Sequence, residues 1–390
     1  MNRYVLKFGG SSVETIEKMK LVARRIIERI NDNTELVVVV SAMGKSTNRL
    51  YDEARKITLL PNKRELDLLL STGELTSISL LSIILNDLGY KAISLTGEQA
   101  RIYTTGEFQS AKIERINPEV IIKHLKEKKI VVVAGYQGVN EFGEVTTLGR
   151  EGSDTSAVTL AHYLNCPCEI YSDVDGVYEV DPRILNNTNK HEYLSYNDLF
   201  LLSYHGAKVI ATSAIEYASL NKVPLYLAST FNEELKGTII CDNQVNKDFL
   251  GIVVQPNIRI LNLINGLPLN TLSKFHDYGF KIDVLSNNLI AIASDDIILL
   301  EEVINNELEE DEYEEEYVDY NLAKVSIIGN LFTEYLNCNK ILDDLNDDLV
   351  NVALTMHNNN RFSIFINVDD TLQSVRKIMN TIKGKIINEK

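Results

Sequence analysis

The sequence predicts an α/β protein with a mainly parallel sheet covered by helices on both faces, followed by two smaller α+β modules. Three observations carry this. Through about residue 230, short β-branched runs alternate with segments whose apolar residues recur at helical spacing. Such strands are apolar on both sides, as in parallel sheets packed between helices. Near 232–248 the chain turns polar and aperiodic, and beyond 250 the elements shorten into two β-α-β-β-α passes of similar length.

Residues 4–8 read as a buried strand, and Val13, Ile16, Met19, Ala23, Ile26, Ile27 and Ile30 follow at helical spacing. The run 36–40 is a strand that ends in a loop at 41–48. Residues 66–88 are helical and strongly apolar, 92–95 is a strand, 118–128 is a helix with Pro118 near its start, and 130–134 is a strand. A helix at 154–164, with Ser153 or Asp154 as its N-cap, a strand at 169–172, a helix from 207 to about 220 and a strand at 224–227 complete the first part. The second part reads as strands 257–263, 281–285 and 289–293 with helices 268–278 and 297–307. Then come strand 324–328, helix 333–345, strands 350–355 and 362–367, and helix 372–382. The acidic run 309–316 reads as a solvated connection. Expected boundaries are 1–235, 250–320 and 321–390.

Composition narrows the class. The chain has 390 residues and a net charge of −16, which argues against nucleic acid or an anionic membrane as main partner. The four cysteines are sparse, and Cys166-Pro167-Cys168 lacks the second pair a zinc site needs, so all four read as reduced thiols. No basic-plus-apolar leader opens the chain, and no uninterrupted apolar run approaches the roughly 18 residues of a membrane span. A soluble, cytoplasmic protein is expected.

The chemistry concentrates in three motifs. Residues 146–157 read Thr-Thr-Leu-Gly-Arg-Glu-Gly-Ser-Asp-Thr-Ser-Ala, a glycine-flanked arginine followed by a helix start. Free N–H groups, a positive helix end and a guanidinium suit an anionic ligand there. Lys7-Phe8-Gly9-Gly10-Ser11-Ser12 places a lysine before two glycines that let backbone approach phosphate. Tyr171-Ser172-Asp173-Val174-Asp175-Gly176-Val177-Tyr178, with Asp181-Pro182-Arg183, offers carboxylates for ribose or Mg²⁺, although Asp175-Gly176 alone is a tight turn. Parallel sheets bind ligands beyond the carboxyl ends of their strands, and the loops at 9–10, 41 and 172–173 all follow strands. Gly73-Glu74 lies inside an apolar helical run, so Glu74 is either wet or buried against a cation such as a substrate amino group, and Arg150 is suited to a substrate carboxylate. His162 and His205 fall in no catalytic spacing.

These residues resemble the aspartokinases of the amino-acid-kinase superfamily, densely from residue 4 to about 231 and thinly after 250. Residues 7–13, Ser41-Ala42-Met43-Gly44 with Thr47-Asn48, Gly73-Glu74, Thr96-Gly97 with Gln99-Ala100, 146–157, 171–183 and Gly206-Ala207-Lys208-Val209 each look like a family segment. Glu151 stands where the family has glycine, and Ile210-Ala211-Thr212 replaces its Leu-His-Pro. The resemblance implies a three-layer sandwich with tandem C-terminal ACT domains. It also implies transfer of a phosphoryl group from ATP, with Mg²⁺ carried mainly on the phosphates and no metal held by the protein, to the side chain of L-aspartate. The product, 4-phospho-L-aspartate, opens the route to lysine, threonine and methionine. Lys7, Asp154 and Lys208 are then catalytic. Ser41, Thr47, Glu74, Arg150 and Ser153 bind the amino acid. Lys7, Gly9, Gly10, Ser11, Ser172, Asp173, Tyr178, Asp181, Arg183 and Lys208 serve the nucleotide and its phosphates. Residues 279–285 and 323–329 resemble ACT strands, with Asp283 as the candidate for an effector's amino group. The family's Pro-Gly turn is missing near Gly266-Leu267-Pro268 and at 330–336, and Met356-His357-Asn358-Asn359-Asn360 replaces a Ser/Thr-rich strand end. Two uses of the tail stand side by side: a homodimer scaffold without feedback, or a sensor of lysine, threonine or another ligand. A kinase of the same fold with another acceptor, and a non-catalytic amino-acid sensor, are the alternative functions.

Overall fold

A computed structural model describes residues 2–31, 33–58, 60–149, 151–232, 234–242, 248–264, 266, 272–273, 275, 280–294, 297–308, 313–316, 321–329, 335–358 and 360–388. The chain divides into two compact units. The first is 1–177, 190–200 and 208–244; the second is 178–189, 201–207 and 245–390.

The first unit is built on an eight-stranded sheet. Its spatial order is Tyr193–Leu194, Thr238–Ile240, Leu225–Ser229, Cys168–Ser172, Asn2–Phe8, Thr34–Val40, Ile130–Ala134 and Ala92–Leu95. The five strands from Leu225–Ser229 to Ile130–Ala134 pair in parallel, as does Ala92–Leu95. Only Thr238–Ile240 runs against a neighbour. The valine run of 37–40 is buried on both faces, which is why it reads as unbroken rather than alternating. One face, with Leu6, Phe8, Val38, Val40 and Val132, packs on Met19, Val22 and Ile26 of helix Ile16–Glu28 and on Ile78, Leu81 and Leu85 of helix Lys63–Asp87. Thr15 caps the first helix by accepting from Lys18 N–H, and Asn62 caps the second by accepting from Arg64 and Glu65 N–H.

Several elements depart from the sequence reading. The helix expected at 154–164 is Gly152–Tyr163, and its N-cap is Glu151 in the left-handed region at φ 57°, not Ser153 or Asp154. The helix expected from 207 to about 220 is Thr212–Asn221, so Lys208 lies in the segment before it, and a separate helix, Tyr196–Tyr204, precedes that segment. A second, four-stranded sheet, in order Ile113–Ile116, Ile102–Thr104, Gln137–Val139 and Val145–Thr147, was absent from the reading because its strands are only three or four residues long. Helix Lys63–Asp87 is long and apolar enough by length and composition to cross a membrane, although half of its apolar window is buried in the fold.

The second unit holds one seven-stranded sheet. Its order is Lys281–Val284, Leu289–Ala293, Gly251–Leu263, Leu322–Ile328, Arg361–Asn367 and Val352–Asn358, with Tyr313–Glu316 paired to the end of Gly251–Leu263. The strand Gly251–Leu263 serves two neighbourhoods. Residues 251–258 pair with 322–328, and 258–263 pair with 289–293 and 313–316, with an irregularity between Gln255 and Ile258. Tyr313–Glu316 thus corrects the expectation of a solvated connection, because the open edge of 260–263 accepts it; 309–312 lie outside the described residues. The expected helix at 268–278 and the turn at 330–336 also fall largely outside them. One face of the sheet packs under helices Ile297–Glu307, Tyr335–Asp347 and Thr371–Asn388. The other face is concave. Asp283 reaches Lys324, three strands away in order, at 2.5 Å and Arg361, four strands away, at 2.8 Å, so the sheet coils back on itself over Ile258, Ile260, Ala291, Leu322 and Phe365.

Candidate active site

Four adjacent parallel strands end level with one another. Phe8 pairs with Val40 and Tyr171, and Val40 pairs with Ala134. Gly9, Ser41 and Gly135 are therefore the first residues past three neighbouring carboxyl ends, level with Ser172, the last residue of the fourth strand, where α/β sheets bind ligands. The loops interlock. Gly44 N–H donates to Gly10 O at 3.0 Å, Ser41 N–H to Phe8 O at 3.2 Å, and Gly9 N–H to Tyr171 O at 3.3 Å. A Cβ on Gly10 would stand 3.0 Å from Ala42 O, and one on Gly135 would stand 2.7 Å from Ser153 Cβ, so glycine is required at both close approaches.

Lys7 faces the helix Gly152–Tyr163, opposite the side of Leu6 and Phe8. Its Nζ lies 2.5 Å from Asp154 Oδ1, both side chains largely buried, and beside Gly9. The other oxygen, Asp154 Oδ2, accepts from Ala211 N–H at 3.0 Å. One carboxylate thus ties the strand carrying Lys7 to the segment carrying Lys208. Lys208 itself is exposed.

Glu74 is 2 % exposed on helix Lys63–Asp87. Its Oε1 accepts from Ala42 N–H at 3.0 Å, while Oε2 is buried and makes no hydrogen bond among the described residues. Burial pushes its carboxyl up to about 8, against the pull of the Ala42 N–H. Gly73 permits this approach, since a Cβ there would stand 2.8 Å from Ala42 Cβ. Ser41 and Thr47 are half-buried in the same loop and the helix after it, and Ser153 is buried one residue before Asp154. Arg150 lies outside the described residues.

Among the residues expected to serve the nucleotide, Ser172 Oγ accepts from Val174 N–H at 3.2 Å and Asp173 is exposed. Ser11 is also exposed. Asp175 pairs with Lys190 at 2.8 Å, and Gly176 at φ 143° turns the chain. Tyr178, Asp181 and Arg183 belong to the second unit. There Arg183 grips Asp181 at 2.7 Å; burial raises the Asp181 carboxyl, but the arginine's hydrogen bonds and charge bring it below its ordinary range. Among the described residues no group of three or more His, Cys, Asp or Glu stands ready to hold a metal.

Asp283 does meet an amino group, and it is the chain's own. Lys324 holds Oδ2 and Arg361 holds Oδ1, with His205 Nδ1 at 2.8 Å from the guanidinium. Both oxygens of this candidate effector contact are thus paired within the fold. Burial, then the charges of Arg361 and Lys324, drives the His205 imidazole down to about 3, so it stays neutral.

Sequence reasoning missed Gly135 and the Ala211 N–H.

A family model described as the amino acid kinase family matches residues 2–229. An aspartokinase of Bacillus sp. (strain MGA3) is 41 % identical over 349 residues, covering 85 % of this chain and 84 % of that one. An aspartokinase of Helicobacter pylori is 34 % identical over 400 residues, covering 96 % and 97 %. In structure, the chain is similar to E. coli aspartokinase III solved with aspartate and ADP, at a TM-score of 0.76, 20 % identity and coverage of 97 % and 99 %.

Proposed function

The chain belongs to the amino acid kinase family and, within it, to the aspartokinases, and from that premise we propose how its residues phosphorylate aspartate. It is an aspartate kinase: ATP gives its γ-phosphoryl group to the side-chain carboxylate of L-aspartate. That carboxylate has a free pKa of about 3.9, so the nucleophile is already ionised and no general base is required. The barrier lies in bringing an anion onto a polyanion, which catalysis lowers by charge neutralisation and positioning.

The observation that carries the assignment is the Lys7–Asp154–Ala211 linkage beyond the strand ends. Lys7 neutralises the transferring phosphoryl group, with Gly9 and Gly10 giving the phosphates backbone access. Asp154 holds the Lys7 ammonium and, through Ala211, the segment that brings Lys208. Glu74 takes the α-ammonium of aspartate with its unpartnered Oε2, Arg150 takes the α-carboxylate, and Ser41, Thr47 and Ser153 complete the acceptor side. Ser11, Ser172, Asp173, Tyr178, Asp181 and Arg183 serve the nucleotide. Mg²⁺ rides on the phosphates. Residues 1–235 are read as the catalytic domain, and 250–320 and 321–390 as ACT-like modules for homodimer assembly and for lysine or threonine control. The setting is cytoplasmic.

The test is ADP release with Mg·ATP and L-aspartate, with and without lysine and threonine. Aspartate-dependent turnover is expected; ATP binding without turnover would overturn the assignment. An effect of either amino acid supports control through the second unit, and its absence supports a scaffold.

A further inference from the structure

Three neighbouring strands of the first unit, Leu225–Ser229, Cys168–Ser172 and Asn2–Phe8, lie in that spatial order, so the middle one separates the outer two. At about 4.8 Å per strand, the outer ends stand roughly 10 Å apart. Yet the loops that follow them meet. Ser12 Oγ, in the turn after Phe8, and Thr230 Oγ1, next after Ser229, share a hydrogen bond at 2.7 Å. Both side chains are buried, Ser12 at 0 % and Thr230 at 3 % exposure. The two hydroxyls form a bridge over the carboxyl end of the middle strand, the end that carries Ser172 and leads into Asp173.

Each foot of the bridge stands on a loop read as serving the nucleotide. Ser12 N–H donates to Gly9 O at 3.0 Å and Val13 N–H to Gly10 O at 3.2 Å, so Ser12 closes the Gly9–Gly10 turn. Gly9 N–H in turn holds Tyr171 O at 3.3 Å. On the other side, Ser229 is the register partner of Ser172, and Thr230 N–H donates to Ser172 O at 2.8 Å. Residues 171 and 172 are thus gripped from both edges, and the hydroxyl pair joins the two grips. A second brace lies nearer solvent. Lys18 Nζ donates to Ser11 O at 3.1 Å and lies 5.7 Å from the centre of the Phe231 ring, with both side chains reaching water, where such contacts add little. The hydroxyl pair is cut off from water, so removing one hydroxyl strands the other without a hydrogen bond.

We infer that Thr230 is a positioning residue for the nucleotide, acting through Ser12 to set the gap between the Gly9–Gly10 turn and the Ser172–Asp173 loop. The inference rests on the reading of those two loops as the nucleotide's. The acceptor side around Glu74 hangs on helix Lys63–Asp87 instead, so loss of the bridge weakens the nucleotide and spares aspartate.

The experiment is equilibrium binding of Mg·AMP-PNP to the full chain, paired with the aspartate KM at saturating Mg·ATP. Thr230→Val keeps the shape and removes the hydroxyl, Ser12→Ala removes its partner, and Thr230→Ser keeps the hydroxyl. The valine and alanine variants are each expected to weaken nucleotide binding about three- to tenfold, with the aspartate KM within about twofold. Thr230→Ser should stay within about twofold of the unaltered chain. The double variant should bind no more weakly than the worse single one, because both remove the same bond. If Thr230→Val does not fold, Ser12→Ala reads that bond by itself. Unchanged nucleotide affinity in the single variants, equal losses for nucleotide and aspartate, losses that add in the double variant, or a Thr230→Ser as weak as Thr230→Val overturns the positioning role. No binding of the nucleotide by the unaltered chain overturns the reading of the two loops, and this inference with it. The binding measurement needs no turnover, so a failure of the aspartate reading shows separately, as nucleotide binding without aspartate-dependent ADP release.

Discussion

On the proposed reading, in which Glu74 holds the substrate's ammonium, its raised carboxyl is expected to make aspartate binding depend on pH in a way that ATP binding does not. With its carboxyl at about 8, only about one molecule in ten carries Glu74 as a carboxylate at pH 7, and about one in a hundred at pH 6. An ammonium needs the ionised form, so the protonated majority must lose a proton before aspartate is held. The apparent KM is then the intrinsic one divided by the ionised fraction. It falls about tenfold per pH unit, or about 1.4 kcal/mol, up to about pH 7.5 and levels off beyond about pH 8.5. The assay is initial-rate ADP release at saturating Mg·ATP, with aspartate varied across that range. A parallel series with ATP varied at saturating aspartate should lack the slope. Glu74→Gln removes the titration, and its aspartate KM should be flat with pH and about a hundredfold above the unaltered protein's at pH 8. An aspartate KM that is flat for the unaltered protein would refute the reasoning, because Glu74 would then either be ionised throughout or play no part in holding the ammonium.

The same residue sets a stability trend. Its folded value of about 8 lies above the ordinary 4.5, so the folded ligand-free protein binds more protons between these values and loses stability as pH rises through them. Glu74→Gln should therefore raise the melting temperature more at pH 8.5 than at pH 5 in thermal scans. Lys7→Ala should lower turnover by about a hundredfold or more with the circular-dichroism spectrum retained, and near-normal turnover would remove Lys7 from the chemistry. His205 shows the opposite linkage. Its folded value of about 3 lies below the ordinary 6.5, so its contribution is complete above 6.5 and is lost as pH falls toward 3. His205→Gln should shrink the fall in melting temperature between pH 6.5 and 4, by up to about 3 kcal/mol of stability, while Asp283 keeps part of the acid limb. Gly135→Ala forces a methyl group to 2.7 Å from Ser153 Cβ; a loss of about 1–3 kcal/mol in denaturant unfolding, with a raised aspartate KM, is the expected cost.

The parallel core was legible because its signals are local. Runs such as 36–40 and 130–134 are apolar on every residue, and the helices between them carry a 3.6-residue pattern with a polar cap before them. Lys7, Glu74 and Asp154 were legible as chemistry set among apolar or glycine neighbours. What stayed hidden depends on partners distant in sequence. The helix at 152 starts two residues earlier than its polar pair suggests because Glu151, in the left-handed region, takes the N-cap position. The strand at 313–316 is a row of glutamates after a tyrosine, and only the open edge of 260–263 makes it a strand. The buried group around Asp283 joins residues 41 and 78 positions apart, a separation at which pattern carries no information.

The strand Gly251–Leu263 has a consequence for how the second unit comes apart. In the ferredoxin-like order each module needs four strands, and residues 251–255 provide the fourth for the module that begins 66 positions later, at 321. The two modules are sequential in the gene but interlocked in hydrogen bonding. Cutting the chain at 321 does not release a self-contained piece; it strips strand Leu322–Ile328, buried along its whole length, of the neighbour covering one edge. A fragment of 321–390 should aggregate or pair edge to edge, whereas 248–390 keeps every strand. Thermal or denaturant unfolding of this part should show one transition, because the pair melts as a single thermodynamic body.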